Sequence, residues 1–134
     1  MSQESVHIVR RVYDAVERQD PEVVLALYHP RVEYDFSSSP FQSLLQRTIY
    51  EGHEGLRAFF RERYQEAWAE TVDELQEILE VGDQVISVVT SGGRGRASGV
   101  EVERTHAGLW SFRDGLVTRV AWYSTREAAL EAAG

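Results

Sequence analysis

The hydrophobic period of this 134-residue chain changes at its middle, and few folds accommodate that change. Up to residue 68 apolar side chains recur mostly at three- and four-residue steps. Beyond residue 71 they alternate or run continuously through four short segments punctuated by glycine. Helices first and strands afterwards indicate an α+β layout with the helices gathered on one face of a sheet.

Residues 5–19 predict a helix, with Val6, Val9, Tyr13 and Val16 on one side and Val12 beside them. A second begins at Asp20-Pro21-Glu22, where Asp20 can accept free first-turn amides and Pro21 suits the first helical position. Pro30 is expected to end it. Residues 31–36 alternate as a strand, Val32, Tyr34 and Phe36 on one face and Glu33 and Asp35 on the other. The stretch from Ser37 to Gly52 reads as an irregular loop. A helix over 53–68 gathers Leu56, Phe59, Phe60, Tyr64, Ala67 and Trp68 on one broad face.

Strands are expected at 71–81, 84–91, 101–113 and 116–123, with Leu75, Leu79 and Val81 sharing a parity in the first. Gly82-Asp83 and Asp114-Gly115 are tight hairpin signals. A longer glycine-rich hairpin end spans Gly92 to Gly99. The tail from Ser124 to Ala133 reads as a short helix, with Ser124 and Glu127 at capping-box spacing. Nothing divides the chain, so 1–134 is expected to be one domain.

Composition narrows the partners. Fourteen basic against 22 acidic residues give a formal charge of −8, which argues against nucleic acid and anionic membrane surfaces. With no cysteine, disulfides and thiolate chemistry are excluded. No segment approaches the roughly 20 apolar residues of a membrane span, and the N-terminus lacks the pattern of a signal peptide. A cytoplasmic protein is expected. His7, His29, His53 and His106 show no metal-ligand spacing, so no metal is expected. His53, at a helix start, is expected to cap free amides. Gly93-Arg94-Gly95 lacks the spacing of a nucleotide loop, there is no Walker-type lysine, and no cofactor is expected.

Several stretches carry a resemblance in their order and spacing: Leu27-Tyr28-His29-Pro30, Val32-Glu33-Tyr34-Asp35, Tyr50-Glu51-Gly52-His53-Glu54-Gly55, and Leu109-Trp110-Ser111-Phe112-Arg113-Asp114-Gly115. Together they cover almost the whole chain, which resembles the SnoaL-like branch of the nuclear transport factor 2-like superfamily. The resemblance implies a cone-shaped, curved antiparallel sheet packed on three helices, an enclosed apolar pocket and a homodimer formed through the sheet. It implies a small lipophilic ligand and, in many relatives, cofactor-free isomerase, cyclase or lyase chemistry. Asp35 matches the general-base aspartate of the steroid isomerases in that superfamily. Their oxyanion tyrosine falls at Val12, with Tyr13 one residue away, and their second acid falls near Gly108. One role of three is matched, so the resemblance does not extend to steroid isomerisation by that set.

Two candidate catalytic residues follow. Asp35 in an apolar pocket would have its basicity raised. Alternatively it is a rim carboxylate paired with Arg31 or Arg47, or a cap for the Ser37–Ser39 turn. His106 could relay a proton or donate to an oxyanion. Arg104 shares its strand parity, and periodicity leaves open whether that face is concave or convex. Tyr13, Tyr64, Trp68, Arg104 and Trp122 are the candidate ligand-binding residues. Three functions are compatible with the sequence: an enzyme using Asp35 as base, a non-catalytic binder of a lipophilic molecule, and a structural dimer.

Overall fold

The computed structural model describes residues 2–134, with side chains from residue 4 onward. Helix α1 (Ser2–Glu17) is followed by α2 (Pro21–Ala26), whose first turn is capped by Asp20 accepting from the Val23 amide at 3.3 Å. Strand β1 (Tyr28–Ser38) then runs longer than its alternation suggests. Pro30 lies inside it rather than ending α2, in a stretch where the pairing register shifts and no ladder donor is lost. The loop that follows contains a 3₁₀ turn (Gln42–Leu44) and a short strand β2 (Ile49–Glu51) that alternation did not reveal. Helix α3 (Gly52–Arg61) widens into a π-helical turn (Glu62–Glu66). Strands β3 (Trp68–Val81), β4 (Gln84–Gly95), β5 (Glu101–Arg113) and β6 (Leu116–Tyr123) form the expected meander. Helix α4 (Arg126–Ala133) closes the chain, capped by Thr125 rather than Ser124, with the Ala128 amide donating to Thr125 Oγ1 at 3.0 Å.

The six strands lie in the order β2-β1-β6-β5-β4-β3. The sheet is mixed, not wholly antiparallel, because β1 pairs with β6 in parallel. The meander starts at the far edge, and its fourth strand returns beside β1 pointing the same way. Bulges bend the sheet. One in β3, between Leu75 and Glu77, reverses side-chain parity: Leu75 stands opposite Val89, whereas Leu79 stands opposite Ile86 on the other face. The single parity expected for Leu75, Leu79 and Val81 therefore breaks at Gln76. Asp114 and Gly115 both have positive φ, 53° and 77°, as the tightest hairpin turn requires.

The concave face carries Val32, Tyr34 and Phe36 of β1, Val85 and Val89 of β4, Trp110 of β5 and Trp122 of β6. Against it pack Ile8, Val9 and Val12 of α1, Val24 and Leu25 of α2, and Leu56 and Phe59 of α3. A second cluster sits on the outer face, where Ala129 of α4, backed by Leu130 and Ala133, covers Ile86, Ala107 and Leu109. A fourth helix thus occupies part of the face expected to be free for a partner. Among the described residues no helix is long and apolar enough to cross a membrane.

Close backbone approach fixes one glycine on β4. A Cβ at Gly92 would stand 2.4 Å from the Val102 carbonyl oxygen, whereas one at Gly82 would meet nothing within 4 Å. Gly92→Ala is expected to cost at least about 2 kcal/mol, because backbone must move. Gly82→Ala, with a φ of +62°, should cost about 1 kcal/mol. Denaturant midpoints at unchanged slope measure both.

Candidate functional site

The sheet, α1, α3 with its π-helical turn and the loop after β1 line a cavity of about 80 Å³. Its walls are almost entirely apolar, with Phe41, Leu44 and Leu45 of the loop after β1 on one side and Trp110 and Trp122 on the sheet. Strand parity decides which polar groups reach it. On β5, His106 and Trp110 line it while Ala107 and Leu109 face α4, so this face of the strand is the concave one. Tyr13, Tyr64, Trp68 and Trp122 line the cavity as well, and so does Val12. Arg104 does not: it is exposed, although Val102, two residues farther along the same face, lines the cavity.

Asp35 is not brought to the cavity either. Its strand neighbours Tyr34 and Phe36 point inward, so the carboxylate stands on the opposite face. There it accepts from Arg119 Nη2 at 2.6 Å and from the Ser37 amide at 2.9 Å. The partner is Arg119 of the parallel strand β6, not Arg31 or Arg47; Arg119 Nε also donates to Glu33 at 2.8 Å. Partial burial alone would raise the Asp35 carboxyl, but Ser37 and the Arg119 guanidinium outweigh it and hold it below the ordinary value. An outward-facing, more acidic carboxylate is the reverse of what the general-base expectation needs.

A different carboxylate occupies the cavity wall. Asp73 of β3 accepts from the Tyr64 hydroxyl at 2.6 Å, from Ser91 Oγ at 2.8 Å and from Arg63 Nη2 at 3.4 Å. Arg63 also donates to the Gly92 and Val72 carbonyls at 2.9 and 3.1 Å. Arg63 and Tyr64 both lie in the π-helical turn, a feature that concentrates at functional sites. Ser91 Oγ in turn lies 3.1 Å from His106 Nε2. Three adjacent strands therefore contribute Asp73, Ser91 and His106 to one continuous hydrogen-bonded line. The sequence held a signal for this: Asp73 shares the parity of Leu75 before the bulge, which makes it an acid on an inward strand position.

The direction of these bonds sets the state of the imidazole. The carboxylate only accepts, so the Ser91 proton goes to Asp73. Ser91 Oγ must then accept from His106, which places the ring proton on Nε2 and leaves Nδ1 as a bare lone pair. His106 Nδ1 is buried without a partner, and so is Trp122 Nε1. The two rings stack at 4.8 Å between centroids, with Phe41 edge-on to the imidazole at 5.0 Å. Burial, reinforced by the Arg63 guanidinium, pulls His106 down to about 4. Burial and the Asp73 carboxylate push the Tyr64 phenol well above its usual value, so it remains a donor.

Other aromatic hydroxyls are already engaged. Tyr13 shares a hydrogen bond with Ser87 Oγ at 2.9 Å, and Trp110 Nε1 donates to the same oxygen at 2.8 Å. At Gly108, where the resembled isomerases place their second acid, a Cβ would stand 2.8 Å from the Trp122 ring, so no side chain fits. His53 does not cap amides: its Nε2–H donates to the Tyr28 carbonyl at 2.9 Å. Buried Glu62 accepts from the Tyr50 hydroxyl at 2.7 Å and from the Gln46 amide at 3.1 Å, tying the loop to the helix.

The SnoaL-like domain family model matches residues 9–120. The chain belongs to this family. Among curated proteins none matches the chain. Solved structures agree on the fold. An NTF2-like protein of unknown function from Burkholderia pseudomallei is 21% identical, with a TM-score of 0.77 over 96% of this chain and 95% of that one. A protein described as a SnoaL-like polyketide cyclase, from a Jannaschia species, is 19% identical, with a TM-score of 0.74 over 98% and 92%. TerC, crystallised with polyporic acid, is 21% identical, with a TM-score of 0.76 over 97% and 98%. At these identities the likeness is one of fold alone.

Two stability predictions follow. The folded Asp35 carboxyl is more acidic than in the unfolded chain, so its pairing stabilises above about pH 4 and is lost as pH falls through the folded value. Asp35→Asn should therefore cost about 1 kcal/mol at pH 7, with the gap to wild type closing in acid. For His106 the sign is the same, but the cause is burial rather than an ion pair. Between pH 6.5 and about 4 the unfolded chain takes a proton that the folded chain refuses, so stability falls as pH drops, by up to roughly 3 kcal/mol. His106→Gln should flatten that part of the curve. Urea titrations at several pH values read both effects.

Proposed function

We propose that this SnoaL-like protein is a cofactor-free proton-transfer enzyme of isomerase, cyclase or lyase type, acting on a small lipophilic molecule. His106, not Asp35, is the group that takes the proton. The observation that carries this reading is the bare, buried Nδ1 of His106, a residue that lines a largely apolar cavity. Apolar pockets with a few placed polar groups are the usual form of small-molecule sites. An imidazole held down to about 4 is neutral at physiological pH, so its lone pair is always available.

In the simplest version a proton leaves a carbon beside a carbonyl for Nδ1. The electron pair moves onto the carbonyl oxygen, where Trp122 Nε1–H can donate. Return of the proton to another atom completes an isomerisation that consumes nothing. A base this weak suits a proton that is already acidic, such as one flanked by two carbonyls. The cavity, about 80 Å³ against the roughly 300 Å³ or more of most ligand pockets, suits a compact molecule. Anything larger requires Phe41, Leu44 and Leu45 to move outward.

Deuterium uptake from D₂O into small cyclic diketones, followed by NMR, tests the reading. Wild type should accelerate exchange of at least one of them. His106→Gln should slow it by about a hundredfold or more, and Asp35→Asn should leave it unchanged. Loss of exchange in Asp35→Asn, or full activity in His106→Gln, would refute it. A second reading, binding without chemistry, is favoured by the absence of a second acid on the cavity side of Gly108. It predicts a ligand-induced rise in melting temperature with no exchange. The homodimer implied by the family likeness would use the outer face that α4 leaves open, and sedimentation tests it.

A further inference from the structure

Two residues that line the cavity, His106 and Trp122, each carry a buried polar atom without a partner, and the two atoms have opposite hydrogen-bonding character. His106 Nδ1 is an acceptor, because Ser91 gives its proton to Asp73 and takes one from Nε2. Trp122 Nε1–H is a donor and nothing else. Both are buried and both lack a partner. His106 is 5% exposed and Trp122 7%, so neither is satisfied by bulk water. An unmade bond at such a position costs more than an average one contributes, because the group has already lost its hydration. The two rings stack 4.8 Å apart, tilted by only 27°, so donor and acceptor belong to neighbouring rings of the wall. Everything else in that wall is apolar apart from groups that already have partners.

We infer that the cavity selects compact ring compounds bearing a hydroxyl beside a carbonyl: the hydroxyl donates to His106 Nδ1 and the carbonyl accepts from Trp122 Nε1–H. The inference rests on reading this cavity as a ligand site and adds the class of molecule it takes. It also gives Asp73 a task. Asp73 touches no ligand in this scheme; it is a positioning residue that acts through Ser91 to hold the imidazole in the acceptor tautomer. Without that line, Ser91 could donate to Nε2, the ring proton would move to Nδ1, and the site would ask for an acceptor where it now asks for a donor. Phe41, edge-on to the imidazole at 5.0 Å, is the side chain such a ligand displaces.

The tautomer can be read without any ligand. In ¹⁵N-labelled wild type, the nitrogen shifts and couplings of His106 should show a protonated Nε2 and a bare Nδ1 at neutral pH. Ser91→Ala should leave the chain folded and make that preference weak or reversed, and Asp73→Asn should do the same if it folds. Binding is then compared for three probes of similar size: 2-hydroxycyclopent-2-enone, whose five-membered geometry leaves the hydroxyl only weakly tied to its own carbonyl, its methyl ether 2-methoxycyclopent-2-enone, and 2-methylcyclopentanol, which lacks the carbonyl. The first should bind wild type on the order of tenfold more tightly than either of the others and shift the Trp122 indole signal. Ser91→Ala should lose most of the preference for the free hydroxyl. A proton found on Nδ1 in wild type overturns the inference. So do equal affinities for the three probes, or no effect on the Trp122 indole. Failure of deuterium exchange with these results intact would remove the enzyme reading and leave the ligand class standing.

Discussion

A largely covered carboxylate in the wall of an apolar cavity needs partners from the protein, and much of the arrangement around the cavity follows from satisfying Asp73, whose side chain is 17% exposed. An unpaired buried charge costs several kcal/mol. Here three donors come from two elements: Tyr64 and Arg63 from the π-helical turn, and Ser91 from the neighbouring strand. Arg63 extends the tie to the Gly92 carbonyl, and Gly92 is itself pressed so closely against β5 that it has no room for a side chain. The end of α3, the start of β3 and the middle of β4 are thereby held as one unit. His106 inherits its tautomer from that unit.

The same geometry separates two acids that look alike in the sequence. Asp35 and Asp73 both sit on strands with alternating side chains. Asp35 falls on the outward parity of β1 and meets Arg119, which makes it more acidic. Asp73 falls on the inward parity of β3 and meets only donors. A single step along a strand moves a side chain to the opposite face of the sheet, so chemistry carried over from relatives by position alone is sensitive to one residue of register. The family likeness secures the architecture, and the cavity chemistry is this chain's own.

Much of the fold was legible along the chain. The helix over α1, the Asp20 cap, the Asp114-Gly115 hairpin and the meander rest on local periods and turn chemistry, which a sequence displays directly. So does the inward set of Tyr13, Tyr64, Trp68 and Trp122, whose bulk and spacing have few other uses. The bulge at Gln76 was not legible, because an extra residue on one strand is defined only against its partner. The parallel pairing of β1 with β6 and the short β2 depend likewise on contacts across more than eighty and about fifteen residues of chain. Arg104 shares the parity of the lining residues Val102 and His106 yet is exposed outside the wall, because parity gives the face of a strand but not which long side chains on it turn to solvent.

The sequence by itself determined the fold class, the helical and extended segments, and the absence of cysteine chemistry, because these depend on composition and on near neighbours. Only the tertiary structure decided which acid enters the cavity, which nitrogen of His106 carries the proton, and which face α4 covers. Those outcomes are set by hydrogen bonds and packing between residues far apart in the chain. Asp73 and Ser91 are 18 positions apart and Ser91 and His106 another 15, yet each pair is separated by one hydrogen bond. A charge or a lone pair takes its character from what surrounds it, and the surroundings exist only once the sheet has curled.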